Sequence, residues 1–91
     1  MQSILDTRPD ECYVCKRYGH TDEHHVFGGA NRKLSEHYGL KVYLCRDCHN
    51  KVHFSDGELM NILRIRAEAR ALEYYDWSIE QFIKIFGRNY L

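Results

Sequence analysis

Ten residues near the middle of the chain are the ones whose types could do chemistry. They are four cysteines and six histidines, all between positions 12 and 54. Cys12-Tyr-Val-Cys15 and Cys45-Arg-Asp-Cys48 are both C-x-x-C pairs. A two-residue gap lets both thiolates turn toward one ion, and two such knuckles complete the tetrahedral four-sulfur shell that Zn²⁺ favours. A redox-active dithiol is the rival reading of a single C-x-x-C pair, but it leaves the second pair without a role. A four-sulfur shell is closed to water and substrate, so this zinc is expected to hold the fold rather than to catalyse. It would pin the first knuckle to the second and bring residues 16–44 round as a loop.

Four of the histidines fall where that loop could gather them: His24, His25, His49 and His53. His49 follows Cys48 directly, and a zinc knuckle often opens a helix. His49 and His53, four residues apart on that helix, would share a face. His24 and His25 precede Val26-Phe27-Gly28-Gly29, which reads as a strand running into a loop. On a regular strand their side chains point to opposite faces, so both reach one site only if the strand twists or ends there. His20 and His37 are read as surface or structural residues.

The pattern Cys12-x-x-Cys15, Glu23-His24-His25-Val26 and Leu44-Cys45-x-x-Cys48-His49, with His53, resembles the HNH nucleases. The stretch His24-His25-Val26-Phe27-Gly28-Gly29-Ala30-Asn31-Arg32-Lys33-Leu34 is similar to their small phage- and prophage-borne members. The resemblance covers residues 12–54. It implies a zinc-stabilised ββα-metal (His-Me finger) module, in which a β-hairpin and a helix clasp one divalent ion. It also implies cleavage of DNA, by nicking or double-strand cutting, to 5′-phosphate and 3′-hydroxyl ends. By position, His24 matches a ligand of the catalytic ion, His25 the general base and His49 the second ligand. His53 matches a position that adds a ligand or contacts phosphate. Where the family usually has an asparagine, nine residues before the helix ligand, this chain has Leu40. Either Asn31 or a backbone group takes over the bracing of the base, or the base is held less firmly.

These residue types suit phosphodiester hydrolysis. A neutral imidazole, which ordinarily titrates near pH ~6.5, can take a proton from water at neutral pH. An ion held by few protein ligands keeps positions free for phosphate oxygens and water. Histidine ligands favour Mn²⁺, Ni²⁺, Co²⁺ or Zn²⁺ over Mg²⁺, although Mg²⁺ can be completed by water and phosphate. The expected cofactors are therefore one structural Zn²⁺ and one catalytic divalent ion. Arg17, Arg32, Lys33, Lys41 and Lys51 are the candidate phosphate contacts.

The whole chain has 13 basic and 13 acidic residues, which excludes a strongly basic nucleic-acid binder and an acidic disordered tail. The charge is unevenly spread, however. Residues 12–54 carry seven Lys and Arg (the five above with Lys16 and Arg46) against Asp22, Glu23, Glu36 and Asp47, a net +3. Such a module is expected to bind DNA weakly, with strong salt dependence and little base readout. The alternatives are a non-catalytic Cys₄ module binding nucleic acid or protein, and a metal hydrolase acting on another substrate.

The elements that must position these groups can also be read. The fold class is α+β, one domain over 1–91: the zinc module at 12–54 and a helical C-terminal extension at 55–91. Hairpin strands are expected at roughly 22–27 and 40–44, with a helix from 46–48 and a helical turn near Asn31–Tyr38. Residues 1–11 read as a polar lead-in. Helices are predicted over about 57–74 and 79–87. In the first, Leu59, Ile62, Ile65, Ala69 and Leu72 form the apolar stripe. The second has a capping box at Ser78 and Gln81, the face Ile79, Phe82, Ile83 and Phe86, and Gly87 as its C-terminal cap. That aromatic face is read as core, with a dimer surface as the other use; the expected partners besides DNA are a homodimer or a phage assembly. No run approaches a membrane span and the N-terminal residues show no signal peptide. The chain is therefore expected in the cytoplasm, where cysteines serve as metal ligands rather than disulfides, and the resemblance implies that it is phage- or prophage-encoded in a bacterial host.

Overall fold

The segments on either side of the glycine-rich stretch pair as an antiparallel hairpin in the computed structural model, which describes residues 1–55 and 57–91. Strand β1 (Asp22–His25) lies against β2 (Lys41–Leu44), with His24 opposite Val42 and His25 opposite Lys41. The strands are shorter than expected, because β1 stops at His25. Val26 still donates to the Leu40 carbonyl at 3.0 Å, but Phe27 leaves the ladder for a different partner. Its N–H donates to Ser35 Oγ at 3.0 Å, and the Ser35 hydroxyl donates to the Phe27 carbonyl at 2.9 Å. This reciprocal pair fixes helix α1 (Arg32–Tyr38) against the strand end.

Gly39 closes α1 in the left-handed region, φ 71°, where glycine is favoured. A Cβ there would also come 2.5 Å from the Gln2 carbonyl. The close approach exists because residues 1–6 are not a loose lead-in. Ile4 donates to the Gly39 carbonyl, and the buried Asp6 carboxylate accepts the Tyr43 N–H at 3.0 Å. The N-terminal segment thus satisfies backbone groups along β2 that would otherwise form a bare sheet edge.

Helix α2 (Arg46–Phe54) follows β2 directly and carries Cys48, His49 and His53. Helix α3 (Gly57–Tyr75) packs on α2 and on α4 (Ile79–Phe86). The face of α3 differs from expectation. Leu63, Ala67 and Ala71 are buried, while Ile62, Ile65 and Ala69 are exposed. Small side chains at 67 and 71 let a neighbour approach the helix closely. With apolar residues spread round much of its circumference, the sequence offers no unique phase to read. Helix α4 matches its prediction: Ser78 and Gln81 form both bonds of the capping box, and Gly87 ends it at φ 95°. Phe82 and Phe86 are buried, whereas Ile79 and Ile83 stay exposed.

One core runs through the hairpin and the C-terminal helices. Phe27 sits among Phe82, Phe86 and Tyr90, with ring centroids 5.7, 4.8 and 5.1 Å away. The Tyr75 hydroxyl donates to the Tyr38 carbonyl at 2.7 Å. Glu68 is fully buried beside this core. Its Oε1 accepts the Tyr90 N–H at 2.6 Å, and its Oε2 has no partner among the described residues. Burial raises its pKa above the ordinary 4.5. None of the described helices is long and apolar enough to cross a membrane.

Two outcomes test this packing. Phe82→Ala should cost about 3–5 kcal/mol of unfolding free energy, the range for emptying a buried aromatic site, read from denaturant midpoints of the zinc-loaded protein. Glu68 binds a proton more tightly folded than unfolded, so it withdraws stability as pH rises from the ordinary carboxylate range through its raised folded pKa. Glu68→Gln should therefore stabilise the protein at about pH 7, and the gain should shrink as pH falls toward ~4.

Candidate functional site

The first knuckle is a tight turn. Cys12 donates to the Arg17 carbonyl, Lys16 sits at φ 67°, and an isolated bridge joins Glu11 to Tyr18. The second knuckle is the start of α2, with Cys45 as its N-cap. In each, the backbone N–H of the second cysteine points at the sulfur of the first, at 3.5 Å. The four sulfurs lie within 4.8 Å of one another, and Cys15 Sγ is 3.7 Å from Cys45 Sγ. Zinc–sulfur bonds of about 2.3 Å in a tetrahedron put sulfurs about 3.8 Å apart, so the residues present fit the ion. Burial pushes the Cys12 thiol up, but the backbone amides of Cys15, Cys45 and Val14 outweigh it and bring the thiol down to about 6. Burial and the neighbouring thiols push Cys48 up. Four thiols this close do not all ionise without a cation between them.

The hairpin and α2 build a second cluster. His24, His49 and His53 bring ring nitrogens within 4.8 Å of one another. His49 and His53 lie one helical turn apart with their Nε2 atoms 3.0 Å from each other. His24 enters from β1, its ring 5.3 and 5.2 Å from theirs. His24 Nε2 is buried with no partner among the described residues. Burial, then the nearby His49, His53, His25 and Arg64, lower its pKa to about 4, so it is neutral at physiological pH with a lone pair to offer. The other nitrogen of His49, Nδ1, lies 3.3 Å from Asp22 Oδ2. A carboxylate behind a ligating imidazole fixes its orientation and raises its basicity. Arg46 Nε holds the same carboxylate at 2.9 Å, and His49 first, then Arg46, keep Asp22 below its ordinary range. A buried nitrogen without a partner, facing two more imidazoles, fits a divalent ion.

An open cleft of about 310 Å³ adjoins this cluster. His24, His25, His49 and His53 all line it, with Gly28, Gly29 and Arg32. The strand ends at His25, which is how two consecutive histidines come to border one cleft. His25 is the more committed of the two: its Nε2 lies 2.9 Å from Glu36 Oε1 and 3.8 Å from Glu23 Oε1.

Several expected positions lie elsewhere. Asn31 does not brace His25; its amide donates to the Phe86 carbonyl at 3.0 Å and ties α4 to the loop. Leu40 is fully buried in the core. Lys41 is no free phosphate contact. It is buried, with Nζ 3.1 Å from both oxygens of Glu36 and 3.3 Å from Glu23. Arg17 lies 3.5 Å from Asp47 on the surface. Lys33 and Lys51 are exposed, and Arg32 alone of the five reaches the histidine cleft. Asp22 and Glu36 are functional candidates that sequence reasoning used only in a count of charges. The alternation of β1 put Asp22 on the face of His24, a signal that was there to be used.

No family model, curated protein or solved structure matches this chain.

Two kinds of metal site predict two behaviours on loading. Zinc titration of the metal-free protein should fill the cysteine site with cooperative folding, and Cys45→Ala should abolish that transition in circular dichroism. His24→Ala should keep the zinc-dependent fold while lowering the affinity for a second equivalent of Ni²⁺ or Co²⁺ by ~10-fold or more, measured by calorimetry.

Proposed function

We propose that the chain is a metal-dependent endonuclease of the HNH type, hydrolysing phosphodiester bonds of DNA. The observation that carries this reading is the convergence of His24, His49 and His53 around a buried, partnerless His24 nitrogen, with His25 of the same strand on the same cleft. The cysteine cluster supports it by holding the helix of His49 and His53 to the hairpin of His24.

In this reading His24, His49 and His53 hold a divalent ion, and Asp22 orients His49. Once bound, the ion would supply positive charge for the phosphate and for the leaving 3′ oxygen. The chain's own groups do the rest. His25 takes a proton from water, whose oxygen attacks phosphorus. The bond from phosphorus to the 3′ oxygen breaks, and that oxygen leaves as a hydroxyl with a proton from solvent. Arg32, exposed at the cleft, binds a non-bridging phosphate oxygen. With Lys41 buried in its ion pairs, the cationic surface available to DNA is smaller than the sequence count implied. Weak, salt-sensitive binding follows.

Supercoiled plasmid incubated with the protein in EDTA, and then in Mg²⁺, Mn²⁺, Ni²⁺ or Zn²⁺, tests the reading. Wild type should give open-circle or linear DNA in at least one metal. His25→Ala should lower the rate by ~10²- to 10⁴-fold, the usual worth of a general base, while keeping its zinc. Intact plasmid in every metal, with zinc still bound, would favour a non-catalytic zinc module instead.

A further inference from the structure

We infer that Glu36 is a positioning residue for His25: it holds the imidazole as the Nε2–H tautomer and leaves Nδ1 to take the proton from water. This rests on the nuclease reading above and names the group that makes its base competent.

The geometry is specific. Glu36 Oε1 is 2.9 Å from His25 Nε2, within hydrogen-bond reach, whereas Glu23 at 3.8 Å is not. A carboxylate only accepts, so the ring must donate from Nε2. Among the described residues nothing bonds Nδ1. The carboxylate is itself held. Lys41 reaches both Glu36 oxygens at 3.1 Å, and the Met1 amino group reaches Oε2 at 2.9 Å. Lys41 stands opposite His25 in the strand register, so the hairpin that places the imidazole also places the cation that fixes its partner. The Lys41 ammonium group bridges Glu36 and Glu23, already supplying the cation that these carboxylates would otherwise seek. The trio of Glu23, His25 and Glu36 is therefore not a third metal site. Its arrangement is that of a base with an orienting carboxylate, in which the wrong tautomer turns a hydrogen rather than a lone pair toward the water.

The zinc-loaded 91-residue chain tests this in two ways. Long-range ¹H–¹⁵N spectra should show His25 of the wild type as the Nε2–H tautomer and His25 of Glu36→Ala as a mixture. In plasmid cleavage Glu36→Ala should lower kcat by ~10- to 100-fold, the usual cost of an orienting partner, with KM changed less than ~2-fold. Glu36→Gln retains an acceptor for Nε2–H and should recover most of the rate, and it serves if the alanine variant loses its fold. A wild-type Nδ1–H tautomer would overturn the assignment, as would unchanged kcat in a folded Glu36→Ala. If wild type cut nothing in any metal, the nuclease reading would fall, and the tautomer spectra would still decide whether Glu36 holds His25.

Discussion

Four sulfurs drawn within 4.8 Å of one another are the constraint on which the rest of the structure depends. The thiolates would repel in so small a space without a cation, and three of the four, Cys12, Cys45 and Cys48, are buried among apolar groups. Bridging Cys15 to Cys45 closes 30 residues of chain. A covalent crosslink over such a loop would remove about 3–4 kcal/mol of unfolded-state entropy. A four-sulfur zinc would do that and supply binding energy as well. The cluster also has a geometric consequence. Cys45 caps α2 through its own sulfur, so an ion bound there would also fix where the helix begins. His49 is one residue past Cys48, and its place opposite His24 is inherited from that start.

The second consequence is the division of labour between consecutive histidines. His24 points to the α2 side of the hairpin and loses its water there. His25 turns toward α1 and Lys41. Strand alternation alone would separate the two rings for good. The strand ends after His25, and the Gly28-Gly29 turn opens a cleft that both rings line. The Phe27–Ser35 pair makes this ending firm, because it diverts the chain into α1 and seats the Phe27 ring among Phe82, Phe86 and Tyr90. The C-terminal helices thus contribute to the cleft indirectly, by anchoring the residue that ends β1.

Much of this was legible in the sequence because it rests on spacing. Two C-x-x-C pairs, an i, i+4 histidine pair and a serine–glutamine capping box are local rules, and each appears in the structure where the sequence put it. The groups that were not legible are those whose partners are distant in the chain. Asp6 on Tyr43, Glu36 on His25 and Asn31 on Phe86 span 37, 11 and 55 residues. No periodicity encodes such contacts. The phase of α3 was misread for a different reason. Apolar residues lie round much of the helix, and the stripe through Ile62, Ile65 and Ala69 misses the buried Leu63, Ala67 and Ala71.

Lys41 shows why a count of charges is a poor guide to a binding face. Read as a number, it adds to the +3 of the zinc module and to the attraction for phosphate. Burial disfavours its ammonium ion, yet Glu36 and Glu23 more than offset that and raise its pKa. The Met1 amino group, His25 and Lys41 together hold the Glu36 carboxyl well below its ordinary range. The charge is therefore spent inward, on a carboxylate that stays ionised beside His25. Lys41 is thereby committed to fixing an acceptor next to an imidazole. A chain with no net charge can then still gather four histidines at one cleft, because these charges are paired across the hairpin rather than summed over the surface.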